Sequence, residues 1–160
     1  MKKNIYFAIF MAMSFVIALT SCSKSQDLDY KKACEEKDFE KAYQIVDIIK
    51  EDAAQTIADN EPNGFDDEDM FHKLAIQRKA RVKVEEVEKY VVLQESMYVL
   101  ESQGTNGLIR IVGIAKEHNA ERWLYKELLD IAKKIGDNDL VERINNMINP
   151  SPASDTSVKI

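Results

Sequence analysis

Apolar residues recur every three or four positions along several long stretches of the chain, separated by short polar breaks. In the stretch after Asp38 they are spaced 3, 4, 3, 4 and 4 positions apart, at Phe39, Ala42, Val46, Ile49, Ala53 and Ile57. This spacing places them on one face of a helix. The Asp38 carboxylate is suited to cap that helix by accepting its free amide hydrogens. We predict an amphipathic helix after Asp38, preceded by a short helix over residues 28–36.

The middle of the chain reads as a loop followed by a long helical segment. Residues 59–69 are acidic and contain Pro62 and Gly64, which break helices. Residues 68–102 lack both glycine and proline. The polar stretch 77–83 weakens the apolar stripe of this segment, so the sequence leaves open whether it forms one helix or two.

The last third predicts three further helices. Gly104 suits the left-handed position that often ends a helix, and the helix after Gly107 is apolar nearly all round because Ile109 and Ile114 flank its main stripe. We expect this helix to be central and buried.

Two more helices follow this one. We expect Asn119 to cap the first, Gly136 to end it, and Asp137 or Asn138 to cap the last. Their apolar positions are Leu124, Leu128, Ile131, Ala132 and Ile135, and then Leu140, Val141, Ile144, Met147 and Ile148.

The predicted fold is all-α, built from antiparallel helical hairpins. Only five glycines and three prolines occur, too few for the frequent turns of an all-β fold. Residues 37–42 and 135–140 resemble the inter-helix turns of tetratricopeptide repeats, although no period near 34 residues recurs. The resemblance implies a tetratricopeptide-like arrangement over residues 28–149, and an irregular helical bundle is the alternative. Residues 150–160 are polar, and we expect them to form a disordered tail.

The first residues have the pattern of a secretory leader. Lys2 and Lys3 precede an apolar run from Ile5 to Leu19 that only Ser14 interrupts. At 1.5 Å per residue this run is short for a bilayer core of about 30 Å. It fits the apolar region of a signal peptide.

Leu19, Thr20, Ser21 and Cys22 end this leader and resemble the lipobox of bacterial lipoproteins. The resemblance implies a signal peptide over residues 1–21, cleavage between Ser21 and Cys22, and diacylglycerol and acyl groups such as palmitate on Cys22. An uncleaved anchor or an ordinary secretory signal are the alternatives.

The residues after Cys22 bear on where the protein is sent. Residues 22–27 would form a flexible tether, and Ser23 resembles the residue that directs lipoproteins to the outer membrane. Asp27 and Asp29 resemble an acidic surface-export signal but lie somewhat far from Cys22. We expect a cell-envelope protein, and surface exposure stays open.

The charge of the chain restricts its partners. The net charge is −6, and removing a leader whose only charges are Lys2 and Lys3 lowers it to −8. An acidic domain repels phosphate backbones, so we expect no nucleic-acid partner. Membrane attachment would come from covalent lipid on Cys22. Cys34 would then have no disulfide partner, and we expect a small buried residue on a helix.

No catalytic or metal-binding constellation is found in the sequence. His72 and His118 are the only histidines, and neither has zinc-site spacing. Residues 59–64 resemble the start of a calcium loop, but Met70 stands where its bidentate glutamate belongs. Trp123 and Tyr125 would belong to the core or line a groove. We expect no cofactor, no metal and no enzyme activity.

A basic cluster is the remaining candidate for a site. Arg78, Lys79, Arg81 and Lys83 fall within six residues. They form either a solvated helix face or a binding site for an acidic partner.

We predict a lipid-anchored module that binds an envelope protein or peptide. The alternatives are a carrier of an apolar ligand between helices and an enzyme with dispersed carboxylates.

Overall fold

The computed structural model describes residues 26–62 and 69–149, with side chains from Asp29 onward. The predicted leader, the lipid site at Cys22, most of the tether, residues 63–68 and the tail lie outside the described residues. Within them the fold is all-α, as predicted. The helices are α1 Gln26–Glu35, α2 Phe39–Asp59, α3 Met70–Gln103, α4 Leu108–Glu117, α5 Glu121–Ile135 and α6 Asn138–Ile148.

The described residues group into two compact units, one ending at Val99 and the other beginning at Leu100. The long helix α3 passes from the first unit into the second. Its continuity answers the question that the sequence left open, because residues 77–83 stay helical. A 3₁₀ turn, Gly104–Gly107, follows it, and Gly104 has the left-handed φ of 60° that the sequence predicted.

The first unit is built on the predicted apolar stripe of α2. Asp38 caps this helix, as expected, by accepting a 3.1 Å hydrogen bond from the Lys41 amide. The core between the three helices consists of buried residues from all of them: Tyr30, Ala33, Cys34, Phe39, Ala42, Val46, Ile49, Val87 and Val91. The predicted stripe is therefore the face that α2 buries.

In the second unit, α4 packs against α5 and α5 packs against α6. The predicted apolar positions supply its core, with Leu124, Leu128, Ile131, Leu140 and Ile144 almost fully buried. The prediction that α4, being apolar nearly all round, is a buried helix was wrong. Ile109 is 86% exposed and Gly113 is also exposed. The helix thus buries one face only, and its additional apolar residue lies in solvent.

Three inter-helix turns share one hydrogen-bond pattern. In each, a residue with positive φ ends a helix, and the next residue donates its amide hydrogen to the carbonyl five positions earlier. The left-handed residues are Lys37, Asn119 and Gly136, with φ of 63°, 50° and 71°. Asn119 was predicted as a helix cap, which is wrong: it ends α4, and the N-cap of α5 is Ala120, which makes no side-chain cap.

The turn at Gly136 follows the sequence-based expectation. Gly136 ends α5 in the left-handed conformation. Asp137 then caps α6 through a 3.2 Å hydrogen bond from the Leu140 amide to its carboxylate. A helix stop and a helix start thus occupy adjacent residues, which makes the hairpin between α5 and α6 tight.

Candidate functional site

A cleft of about 290 Å³ lies between α2 and α3 in the first unit. Its floor is apolar, formed by Ile49 and Ala53 on α2 and by Ile76 and Ala80 on α3. The two alanines have short side chains, so the facing helices do not fill the space between them. Ala53 is buried, and Ile76 and Ala80 are half-buried. The cleft is therefore an open groove with an apolar floor.

Polar cross-links between α2 and α3 bracket the cleft at both ends. At one end the buried amide of Gln77 donates hydrogen bonds to the carbonyls of Ile57 and Asn60, at 3.1 and 3.0 Å. At the other end Lys50 Nζ lies 2.8 Å from Glu88 Oε1. Both links hold the helices at a fixed register.

A third cross-link reinforces this register further along the pair. The Tyr43 hydroxyl donates a 3.0 Å hydrogen bond to Glu95 Oε2, a buried carboxylate on α3. The cleft is thus a feature of a braced helix pair, in which α2 and α3 are joined on both sides of the opening.

The two lips of the cleft differ in charge. Lys79 and Lys83 lie on the α3 lip, and Asp52 lies on the α2 lip. The two lysines are one helical turn apart, about 6 Å along the axis. Thr56 also lines the cleft, but its hydroxyl donates a 2.8 Å hydrogen bond to the Asp52 carbonyl within α2.

The structure divides the basic cluster that the sequence singled out. All four residues are exposed, but only Lys79 and Lys83 line the cleft. Sequence reasoning missed the α2 side of the site, namely Asp52 and Thr56, because the contact joins residues far apart in the chain. The signal that could have suggested it is the alanine on each facing stripe.

Cys34 is buried, as expected, and carries a free thiol. Burial raises its pKa to about 12, and the positive charge of Lys37 offsets only part of that rise. Burial likewise raises the pKa of Tyr90 to about 12, with smaller contributions from Cys34 and Glu35. The thiol of Cys34 therefore stays protonated at neutral pH and is a poor nucleophile.

The remaining sequence candidates do not assemble into a site. His72 is exposed, and His118 is the C-cap residue of α4. Among the described side chains, no three of the residue types His, Cys, Asp and Glu are grouped to hold a metal ion. Tyr125 is buried in the core, whereas Trp123 is half-buried.

Comparisons with known protein families, with curated proteins and with solved structures find no match to this chain. Within the part of the chain that the structure describes, no helix combines the length and apolarity needed to cross a bilayer.

Proposed function

We propose that the protein is a lipid-anchored lipoprotein of the bacterial cell envelope whose helical domain binds another protein or peptide. The observation that carries the anchoring is the sequence Leu19-Thr20-Ser21-Cys22 at the end of a basic and apolar leader. The thiol of Cys22 would form a thioether to diacylglycerol, and the acyl chains would hold the domain at the membrane. We place the protein at the outer membrane because Ser23, directly after Cys22, resembles the residue that directs lipoproteins there.

Durable attachment depends on the number of acyl chains. Each buried methylene contributes about 0.8 kcal/mol, and one chain binds only reversibly. The two or three chains of a mature lipoprotein would anchor the domain without help from protein charge. This matters because the net charge, which removal of the leader lowers from −6 to −8, opposes adsorption to anionic lipid.

The cleft between α2 and α3 supports the binding role. Its volume of about 290 Å³ lies at the lower edge of the range for small-molecule pockets, about 300–1,000 Å³. Such a groove holds one or two anchoring side chains of a larger partner more readily than a whole ligand. Its mixed charges also suit a partner that presents ordered polar groups around an apolar contact.

Metabolic labelling with an alkyne-tagged fatty acid in bacterial cells tests the anchoring. The wild-type chain should incorporate the label, and Cys22→Ser should lose it because serine supplies no thiolate. Cys34→Ser is the matched control and should keep the label. Labelling that survived in Cys22→Ser would refute the proposal.

Crosslinking in intact cells tests the binding role separately. A lipid-anchored module should give a reproducible crosslinked protein species that disappears when the domain is unfolded by mutation. Repeated failure to find such a species would count against an interaction module while leaving the lipid anchor in place.

A further inference from the structure

We propose that the cleft between α2 and α3 binds an acidic amphipathic α-helix of a partner protein. The inference rests on the proposed binding function and adds the chemistry of the partner. The helix would insert one or two apolar side chains between Ala53 and Ala80. It would place carboxylates beside Lys79 and Lys83.

The shape of the cleft favours a helix as the occupant. Two braced antiparallel helices leave a groove between them, and a third helix can lie along such a groove with its side chains entering the gap. The braces on both sides of the opening keep the groove formed in the absence of a partner. A preformed groove requires little ordering on binding.

Apolar side chains continue beyond both lips of the cleft. Ile48 on α2 is 48% exposed, and Val82 on α3 is 42% exposed. Each lies next to a charged lip residue, since Ile48 is one helical turn from Asp52 and Val82 follows Arg81 and precedes Lys83. An amphipathic helix seated in the cleft would cover both of these side chains.

Charge complementarity assigns the sign of the partner helix's charge and the lip of the cleft that this charge faces. Lys79 and Lys83 are cationic lip residues in a chain of net charge −6. Acidic residues spaced one turn apart on a partner helix would match their spacing. Such pairing would raise the association rate and fix the orientation of the helix.

The opposite lip argues against a membrane as the occupant. Asp52 faces the same cleft, and a uniformly anionic lipid surface would meet it with repulsion. A helix can carry acidic residues toward α3 and neutral or basic residues toward α2. The mixed lips therefore favour a protein helix over phospholipid headgroups.

The probe is a synthetic amphipathic peptide with leucines at helical spacing and two glutamates one turn apart on one flank. A second peptide carries lysines in place of the glutamates. Binding to the full chain in non-ionic detergent is followed by fluorescence anisotropy, with empty micelles as the blank. The acidic peptide should bind more tightly than the basic one.

The double variant Lys79→Glu with Lys83→Glu should bind the acidic peptide with an affinity that is lower by about tenfold or more, because two attractions become repulsions. The matched control, Lys126→Glu with Lys133→Glu, makes the same charge change at exposed positions on α5 and should bind like the wild type. Ala80→Leu keeps the charges but fills the cleft, and should also weaken binding. Circular dichroism verifies that each variant is folded.

The inference would be overturned if the acidic peptide did not bind. It would also be overturned if the acidic peptide bound the wild type and the variant with Lys79→Glu and Lys83→Glu equally well. Lysine-dependent binding to phosphatidylglycerol vesicles in preference to phosphatidylcholine vesicles, with no binding of either peptide, would also overturn it. If the lysine variant keeps its lipid label and its crosslinked partner in cells, the proposed function stands and the cleft assignment alone fails.

Discussion

The ring of Phe39 lies against Tyr98 with ring centroids 5.7 Å apart, and Phe39 is 9% exposed. Phe71 carries the same side chain but is 79% exposed. Phe39→Ala should therefore lower the free energy of unfolding by about 3–5 kcal/mol, the cost of removing a buried aromatic ring. Phe71→Ala should change it by less than about 0.5 kcal/mol. Urea unfolding measures both, and equal effects would contradict the burial of Phe39.

The Cys34 thiol gives the first unit a pH dependence. Its pKa rises from 9.0 to about 12, mainly through burial. Above pH 9 the unfolded chain releases this proton while the folded chain retains it. Stability is therefore lost as the pH rises from 9 toward 12. The loss from this thiol should be on the order of 1 kcal/mol at pH 10, and Tyr90 acts in the same direction at higher pH.

Cys34→Ala provides the test, because alanine has no proton to lose. The difference in unfolding free energy between the wild type and this variant should shrink by about 1 kcal/mol between pH 7.5 and pH 10. A difference that stays constant over this range would show that the thiol ionises as readily in the folded chain as in the unfolded one.

At the scale of elements, backbone conformation distinguishes two glycines. Gly136 ends α5 with φ of 71°, and Gly113 lies within α4, while an added Cβ meets no atom within 4 Å at either position. Gly136→Ala should destabilise by about 1 kcal/mol because alanine is strained in the left-handed region. Gly113→Ala should stabilise by about 0.5–1 kcal/mol because alanine favours the helix. Shifts of the same sign in urea unfolding would contradict this assignment.

Helices with a single buried stripe could be predicted from the sequence, and contacts between helices could not. The stripe of α2 and the cap at Asp38 depend on neighbouring residues, so the local pattern shows them. The hydrogen bond from Tyr43 to Glu95 joins residues 52 positions apart, and no local pattern marks it. No local pattern marks the residues on the α2 side of the cleft either.

Two of the sequence-based predictions were wrong for the same physical reason. Ile109 was expected in the core because it is apolar, but apolarity does not determine which side of a helix meets solvent. Asn119 was expected to cap a helix, but asparagine also tolerates positive φ, and the turn uses that property instead. In each case one residue type suits two environments, and tertiary packing selects between them.

At the scale of the whole molecule, we propose that a lipid-modified N-terminus tethers the helical domain. The fold within residues 26–62 and 69–149 supplies a braced cleft with apolar floor and charged lips. The proposed lipid would confine that cleft to a membrane surface. There, a partner in the same membrane would be met at high effective concentration.

Intact-mass analysis of the protein expressed from the full sequence and extracted from bacterial membranes tests this account most directly. We predict the mass of residues 22–160 plus a diacylglyceryl group and an added acyl chain. A mass that retains residues 1–21, or an unmodified residue 22, would contradict the lipid anchor on which the account depends.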